Sequence, residues 1–147
     1  MDEKKYIDLA FKEALKAYRQ NEVPVGCVIV RNGEIIAKAY NKREQKKNAL
    51  CHAEIICINK ACKKLGEKFL DGCEIYITLE PCIMCIGAII QARIGKVVYG
   101  AREPKFGCLE SLGNVLNSYK FNHRIEVVGG VEENKVSELM KKFFKEV

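Results

Sequence analysis

The chain has 147 residues, of which 48% are hydrophobic and 30% are charged, and its formal net charge is +6. This balance predicts one globular domain over residues 1–147, large enough to bury a core. No run approaches the roughly 18 apolar residues of a membrane helix, and the charged N-terminus lacks the apolar core of a secretion signal. The sequence therefore excludes membrane and secreted classes and favours a cytoplasmic protein.

The eight cysteines are many for a chain of this length. In a reducing cytosol we expect them to stay as thiols, and we expect some of them to ligate a metal. The mild basic excess is compatible with a polyanionic partner, although many proteins without such a partner share it.

The N-terminal part of the chain predicts a helix followed by a hairpin. Apolar residues recur at helical spacing over residues 4–20, which predicts an amphipathic helix. Two apolar runs, 25–30 and 35–40, flank Asn32-Gly33, and this arrangement predicts a hairpin whose two turn residues have positive φ. The first run is nearly all apolar, so we expect this strand to be covered on both faces.

The rest of the chain alternates helices and strands. Residues 53–64 predict a helix, and Pro81, which suits a first helical position, begins another that runs to about residue 92. The remaining elements are strands at 74–79, 96–100 and 125–128 and a helix at 132–146. Such alternation favours parallel strand pairs with helices on the faces. We predict an α/β fold, a three-layer α/β/α sandwich around a mixed five-stranded sheet.

Two short motifs place metal-ligand side chains at predicted helix starts. His52 stands at the first, and Cys82 and Cys85 stand three residues apart at the second. On a helix this spacing places both thiols on one face, and the unpaired N–H groups of a helix N-terminus favour thiolates. One imidazole and two thiolates fill three corners of a zinc tetrahedron. The fourth corner is left for water, which is typical of a catalytic site.

Glu54 stands two residues after His52. Within a regular helix the two side chains would diverge by about 200°. Both therefore reach one cleft only if His52 lies at the very start of the helix. Glu54 then lies beside the metal without binding it, as suits a group that moves protons.

Other interpretations of the cysteines stay open on residue chemistry alone. Cys82 and Cys85 form a Cys-x-x-Cys pair of the kind found in redox dithiols, although the residues before them do not suggest a thioredoxin-like context. A closed structural zinc site needs a fourth ligand, for which Cys51, Cys27 or Cys108 would compete. The six cysteines outside the pair are interpreted mainly as small buried apolar residues.

The combination of His-x-Glu with Pro-Cys-x-x-Cys is the signature of zinc-dependent nucleobase deaminases. The similarity runs from about residue 4 to 146 and is carried by the blocks 21–30, 51–55, 76–90, 98–102 and 121–124. In these blocks the chain resembles the bacterial tRNA-specific adenosine deaminase family. The resemblance implies a cytidine deaminase-like fold with one Zn²⁺ per subunit, in a homodimer that binds the tRNA anticodon stem-loop. It also implies hydrolysis of the wobble adenosine to inosine with release of ammonia.

The resemblance further assigns three residues to the substrate. Asn41 would hydrogen-bond the base, while Glu103, where the family commonly has Asp, and Lys105 would line the anticodon loop. Each of the three also has a purely structural interpretation. Asn41 would then be a turn residue after a strand, and the two charged residues would be solvated surface groups.

Three further features are predicted from the same comparison. Phe143 and Phe144 suit the packing face of a helix, and one of them is free to stack on RNA. Asn122 and His123 either shape a loop or contact RNA. The loop at 48–51 departs from the family pattern and is expected to line the pocket differently.

Rival functions follow from the weaker parts of the pattern. The zinc signature alone also fits deaminases of free bases or nucleosides, of guanine or cytosine type. A noncatalytic zinc-containing RNA-binding subunit is a second alternative, but such a chain would tend to lose the glutamate that is present here as Glu54. A purely structural zinc module is the third.

Overall fold

Four helices and five strands account for the regular structure in the computed structural model, which describes residues 2–117 and 124–146. The helices are α1 (Asp2–Arg19), α2 (Ala53–Leu65), α3 (Ile83–Gln91) and α4 (Glu133–Glu146). The strands are β1 (Gly26–Arg31), β2 (Glu34–Tyr40), β3 (Cys73–Leu79), β4 (Lys96–Ala101) and β5 (Glu126–Val128). A single 3₁₀ turn, Val115–Asn117, which the sequence did not predict, precedes the residues that are not described.

The strands form one sheet in the order β2-β1-β3-β4-β5. β1 runs antiparallel to both β2 and β3, whereas β3, β4 and β5 are parallel to one another. The helical crossover between β3 and β4 explains the parallel pair, because parallel strands cannot be joined by a tight turn. The predicted mixed five-stranded sheet is confirmed.

The hairpin between β1 and β2 turns at the predicted dipeptide. Asn32 has φ 51° and Gly33 has φ 76°. Positive φ at both positions gives the backbone twist that matches the two strands, and glycine adopts it without a steric cost.

Side chains alternate across the sheet and divide the core into two layers. On β1, Cys27 and Ile29 pack toward α2 and α3, while Val28 and Val30 pack toward α1. All four are buried, so β1 is covered on both faces as its apolar run predicted. α4 lies on the same side of the sheet as α1, and the ring of its Phe143 contacts Tyr18 of α1 edge-on. The three-layer sandwich is thereby confirmed.

One helix boundary differs from its prediction in a way that matters for the site. α3 begins at Ile83 rather than at Pro81, so the prediction of Pro81 as the first helical residue was wrong. Cys82 is the N-cap, with an extended backbone at φ −80° and ψ 175°. Cysteine is not among the usual capping residues, so sequence gave no signal for a cap at this position.

No described helix is long and apolar enough to span a membrane. Residues 118–123, which include Asn122 and His123, lie outside the described residues, so both alternatives for these two, shaping a loop or contacting RNA, stay predictions.

Candidate metal centre and its pocket

The three predicted ligands meet where α2 and α3 begin. His52 is the N-cap of α2 with an extended backbone, Cys82 is the N-cap of α3, and Cys85 lies in the first turn of α3. The Sγ atoms of Cys82 and Cys85 lie 3.7 and 3.6 Å from Nδ1 of His52. All three ligand atoms lie within 4.8 Å of one another.

These distances suit a tetrahedral zinc ion. Zinc binds thiolate sulfur at about 2.3 Å and imidazole nitrogen at about 2.1 Å, so tetrahedral S and N ligands stand about 3.6 Å apart. Among the described residues, no fourth His, Cys, Asp or Glu joins the cluster, and Cys51, Cys27 and Cys108 all stay outside it. The closed structural site therefore has no support, and the donor set leaves one coordination position open.

The two thiols differ in acidity because they share a hydrogen bond. The thiol of Cys85 bonds to the sulfur of Cys82, and this contact, helped by His52 and the backbone N–H of Cys85, lowers the pKa of Cys82 to about 4 against the effect of burial. The same contact, followed by burial, raises the pKa of Cys85. Cys82 is thus a thiolate at neutral pH, as expected at a helix N-terminus.

Glu54 lies one residue into α2 and is buried, with 3% of its surface exposed. Burial is the main cause that raises its pKa, because a carboxylate loses its hydration there. The pKa of His52 is raised chiefly by its hydrogen bond to Cys82. The extended N-cap backbone of His52 meets the geometric condition derived from the two-residue spacing, so that both His52 and Glu54 face one cavity.

That cavity has a volume of 740 Å³, which exceeds the space that a single base needs. Its walls include His52, Glu54 and Cys82, but not Cys85, which is fully buried behind them. The three residues predicted to bind substrate line it as well: Asn41, Glu103 and Lys105. The remaining lining residues are mostly apolar: Val23, Val25, Ala53, Leu79, Ile83, Phe106, Met140 and Phe144, together with Arg43 and Glu80.

Asn41 is buried, with 5% of its surface exposed, and its side-chain amide makes two hydrogen bonds within the protein. Its Nδ2 donates to the carbonyl of Val23 at 3.2 Å, and its Oδ1 accepts from the N–H of Arg43 at 3.3 Å. The amide therefore shapes the turn after β2 while facing the cavity.

Glu103 and Lys105 belong to the loop after β4. The Oε1 of Glu103 accepts from the N–H of Lys105 at 2.9 Å, and the ammonium of Lys105 lies 5.2 Å from the centroid of the Phe106 ring. On α4, Phe143 is buried in the core, whereas Phe144 is 56% exposed and lines the cavity. One phenylalanine thus packs and the other faces the site.

Glu80 is the main structural residue of the pocket that sequence reasoning did not single out. It is 2% exposed, and its carboxylate accepts hydrogen bonds from the N–H groups of Glu103 (3.0 Å), Leu109 (3.0 Å), Glu110 (2.6 Å) and Ser111 (2.9 Å), and from the Ser111 hydroxyl. Burial alone would raise its pKa, but the hydrogen bonds from Ser111 and its neighbours outweigh burial and lower it. Glu80 thereby fixes the loop that carries Glu103 and the other pocket residues after β4.

The position of Gly107 follows from that arrangement. A Cβ at this position would overlap the Glu80 carboxyl group and the Glu103 carbonyl oxygen. Only glycine therefore lets the loop close around the buried carboxylate. The available signal in the sequence is the charged Glu80 that directly follows β3, between Leu79 and Pro81.

Glu22 plays the same part on the opposite side of the pocket. It is fully buried, and its two carboxylate oxygens accept from the N–H groups of Glu44 at 3.0 Å and Gln45 at 2.7 Å. A buried carboxylate that accepts backbone N–H bonds fixes the loop after β2. The loops on both sides of the cavity are thus each held by one buried glutamate.

The cysteines outside the cluster have no ligand geometry. Four are buried: Cys27, Cys57, Cys73 and Cys108. Cys51 and Cys62 are half-buried, and none of the eight cysteines is in a disulfide. The interpretation of these residues mainly as small buried side chains is confirmed for the four.

Comparison with known proteins places this fold and site in context. The model of the MafB19-like deaminase family matches residues 1–147. A tRNA-specific adenosine deaminase from Bacillus subtilis (strain 168) is 49% identical over 142 residues, which is 97% of this chain and 88% of that protein. A solved structure from a study of A-to-I editing by tRNA:A34 deaminases aligns with a TM-score of 0.86 and 40% identity, covering 92% of this chain and 98% of the other.

A guanine deaminase from Nitrosomonas europaea aligns with a TM-score of 0.77 over 95% of this chain and 83% of its own, but at 21% identity it shows the fold alone. The three-layer sandwich and the His-Cys-Cys cluster beside the cavity thus define a cytidine deaminase-like hydrolase. Within that class, the chain belongs to the MafB19-like deaminases and to the tRNA-specific adenosine deaminase family.

Proposed function

We propose that this protein hydrolyses adenosine to inosine at the wobble position of a tRNA anticodon and releases ammonia. One observation carries the proposal: a buried glutamate lies beside a three-ligand metal cluster in a cavity larger than one base needs. The similar proteins named for this activity support the choice of adenosine in tRNA over a free base.

The metal that fits the cluster is zinc, one ion per subunit, held by Nδ1 of His52 and the thiolates of Cys82 and Cys85. One imidazole and two soft sulfur ligands at tetrahedral spacing match its preferences. When bound, zinc supplies the Lewis acidity that activates water for attack on an aromatic ring carbon.

Glu54 moves the protons in this mechanism. Its carboxylate takes a proton from the attacking water and delivers it to the ring nitrogen beside the amino-bearing carbon. A proton from the newly added hydroxyl then passes through Glu54 to the amino group, and ammonia leaves. Burial supports this role because a raised pKa brings a carboxyl group closer to the neutral range, where it both accepts and donates.

The RNA contacts follow from the walls of the cavity. We assign Asn41 to the base, since one N–H of its amide stays available beside the two hydrogen bonds it already makes. Lys105 and Glu103 are assigned to the nucleotides around the target. An unpaired loop nucleotide costs less to place in such a pocket than a base taken from a duplex.

The assembly state and the cellular location are also proposed. Leu112, an apolar side chain outside the cavity lining, is 60% exposed. We propose that the protein acts as a homodimer, in which such a side chain is covered. We also propose that residues 1–147 act as one deaminase domain in the cytoplasm, where tRNA is modified.

The proposal is tested with three substrates: an anticodon stem-loop bearing wobble adenosine, the same stem-loop bearing cytidine, and free guanine. We expect ammonia and inosine from the first alone. Turnover of guanine without turnover of the adenosine stem-loop would favour the free-base alternative. RNA binding without any turnover would favour the noncatalytic subunit.

A further inference from the structure

We propose that Arg43 binds a phosphate of the RNA backbone next to the target nucleoside and so makes the enzyme prefer RNA over a free nucleoside. This inference rests on the proposed function and extends it to a residue outside the chemistry. Arg43 is exposed and lines the same cavity as His52 and Glu54. A cation at the mouth of the cavity can contact the phosphates of the substrate, which stay outside the pocket when the base is bound.

The guanidinium of Arg43 is not used by the protein itself. Over residues 2–117 and 124–146, it makes no ion pair and its side chain makes no hydrogen bond. Other arginines of the chain do: Arg31 pairs with Glu67 at 3.2 Å, and Arg102 pairs with Glu110 at 2.8 Å. Arg43 therefore keeps all five of its N–H donors for a ligand.

The backbone of Arg43 is fixed although its side chain is free. Its N–H donates to Oδ1 of Asn41 at 3.3 Å, and its carbonyl accepts from the N–H of Asn48 at 3.0 Å. The next two residues are held by the buried carboxylate of Glu22. Because the loop backbone is already fixed, binding has to order only the side chain of Arg43, which lowers the entropy lost on binding.

The chemistry of this position favours phosphate. A planar guanidinium matches two oxygens of a phosphodiester with two parallel hydrogen bonds. When a base lies against Glu54, its sugar and the attached phosphates remain at the mouth of the cavity, where Arg43 and Lys105 are the Lys and Arg residues of the lining within the described part of the chain. A free nucleoside brings no phosphate to this place, so Arg43 would contribute nothing to its binding.

The test compares Arg43→Gln with Lys63→Gln, a control that also removes one exposed positive charge. Lys63 lies on α2 eleven residues after His52, about 16 Å along the helix. For the adenosine stem-loop, we expect R43Q to raise KM by about 10-fold or more with kcat unchanged. The slope of log KM against log salt should become shallower by about 0.7, because one phosphate contact is lost. With adenosine as substrate, R43Q should match the wild type.

Arg43→Lys separates charge from geometry and should recover part of the lost affinity. An unchanged KM in R43Q, an equal loss with adenosine and with the stem-loop, or an equal loss in K63Q would each overturn the proposal. If the wild type turns over no RNA at all, the proposed function fails. The role of Arg43 is then decided by fluorescence anisotropy with a labelled single-stranded oligoribonucleotide: tighter binding by the wild type than by R43Q supports it, and equal affinity refutes it.

Discussion

Nδ1 of His52 lies 3.7 Å from Sγ of Cys82, although the two residues are 30 positions apart in the sequence. Each is the N-cap of its own helix, and each has an extended backbone. Two helix starts are thus brought together by the mixed sheet, in which β2 precedes α2 and β3 precedes α3. The candidate metal site is a consequence of where α2 and α3 begin, so single substitutions at its residues are informative tests.

Cys85→Ala removes one ligand and should lower metal affinity by at least about 10-fold. The variant should also unfold at a lower temperature, because bound metal stabilises only the folded chain. Metal content measured by atomic emission, together with thermal unfolding, checks both effects. Cys62→Ala is the matched control, since Cys62 is half-buried and outside the cluster. A normal metal content in C85A would contradict the ligand set.

Glu54→Gln should keep the metal and lose activity by about 10²- to 10⁴-fold. The amide has nearly the same shape as the carboxyl group but cannot carry a proton between water and the ring. Metal content and inosine formation should be measured on the same preparation. Loss of metal together with activity would assign Glu54 to the metal site instead, and retained turnover would remove it from the mechanism.

Glu80→Gln should destabilise the protein at neutral pH by about 1–3 kcal/mol, because the amide turns an NH₂ group toward N–H donors. The folded-state pKa of Glu80 is lowered, so its stabilising contribution is fully present above the ordinary value of 4.5. That contribution is lost as the pH falls through the lower folded-state pKa.

Thermal unfolding across this pH range checks the prediction for Glu80. The difference between wild type and E80Q should shrink as the solution becomes more acidic than pH 4.5. Glu138→Gln, on the exposed face of α4, serves as the control and should show no difference at either end. A gap between wild type and E80Q that stays constant in acid would mean that the charge of Glu80 is unimportant.

Phe143 and Phe144 should respond in opposite ways to alanine substitution. Phe143→Ala leaves a cavity in the core and should cost about 3–5 kcal/mol of stability. Phe144→Ala removes an exposed ring at the cavity and should raise the KM for RNA while leaving the unfolding temperature nearly unchanged. An unchanged KM in Phe144→Ala would show that the RNA does not stack on this ring.

The sequence allowed the ligands and the fold to be predicted for a simple physical reason. His52, Glu54, Cys82 and Cys85 lie in short motifs whose residue types and spacing are themselves the chemistry of a zinc site. The alternation of apolar runs likewise determines which elements share the sheet. A local sequence pattern is enough to predict such a site when the interacting side chains lie within a few residues of a helix start.

The glutamates that hold the pocket could not be assigned in the same way. Glu80 binds N–H groups 23 to 31 residues further along the chain, and Glu22 binds N–H groups 22 and 23 residues away. Backbone donors carry no side-chain signature, so nothing in the sequence marks a partner. The capping role of Cys82 was missed because cysteine is not a usual N-cap residue and its side chain makes no capping hydrogen bond.

The most direct test of the account is deamination of the wobble-adenosine stem-loop in water enriched in oxygen-18. The purified enzyme is assayed before and after its metal is removed by a chelator, and again after zinc is restored. We predict inosine that carries oxygen-18, no product from the metal-free enzyme, and recovery of activity with zinc. Inosine formation that persists in the metal-free enzyme, or no inosine under any of these conditions, would contradict a zinc-dependent hydrolysis at this site.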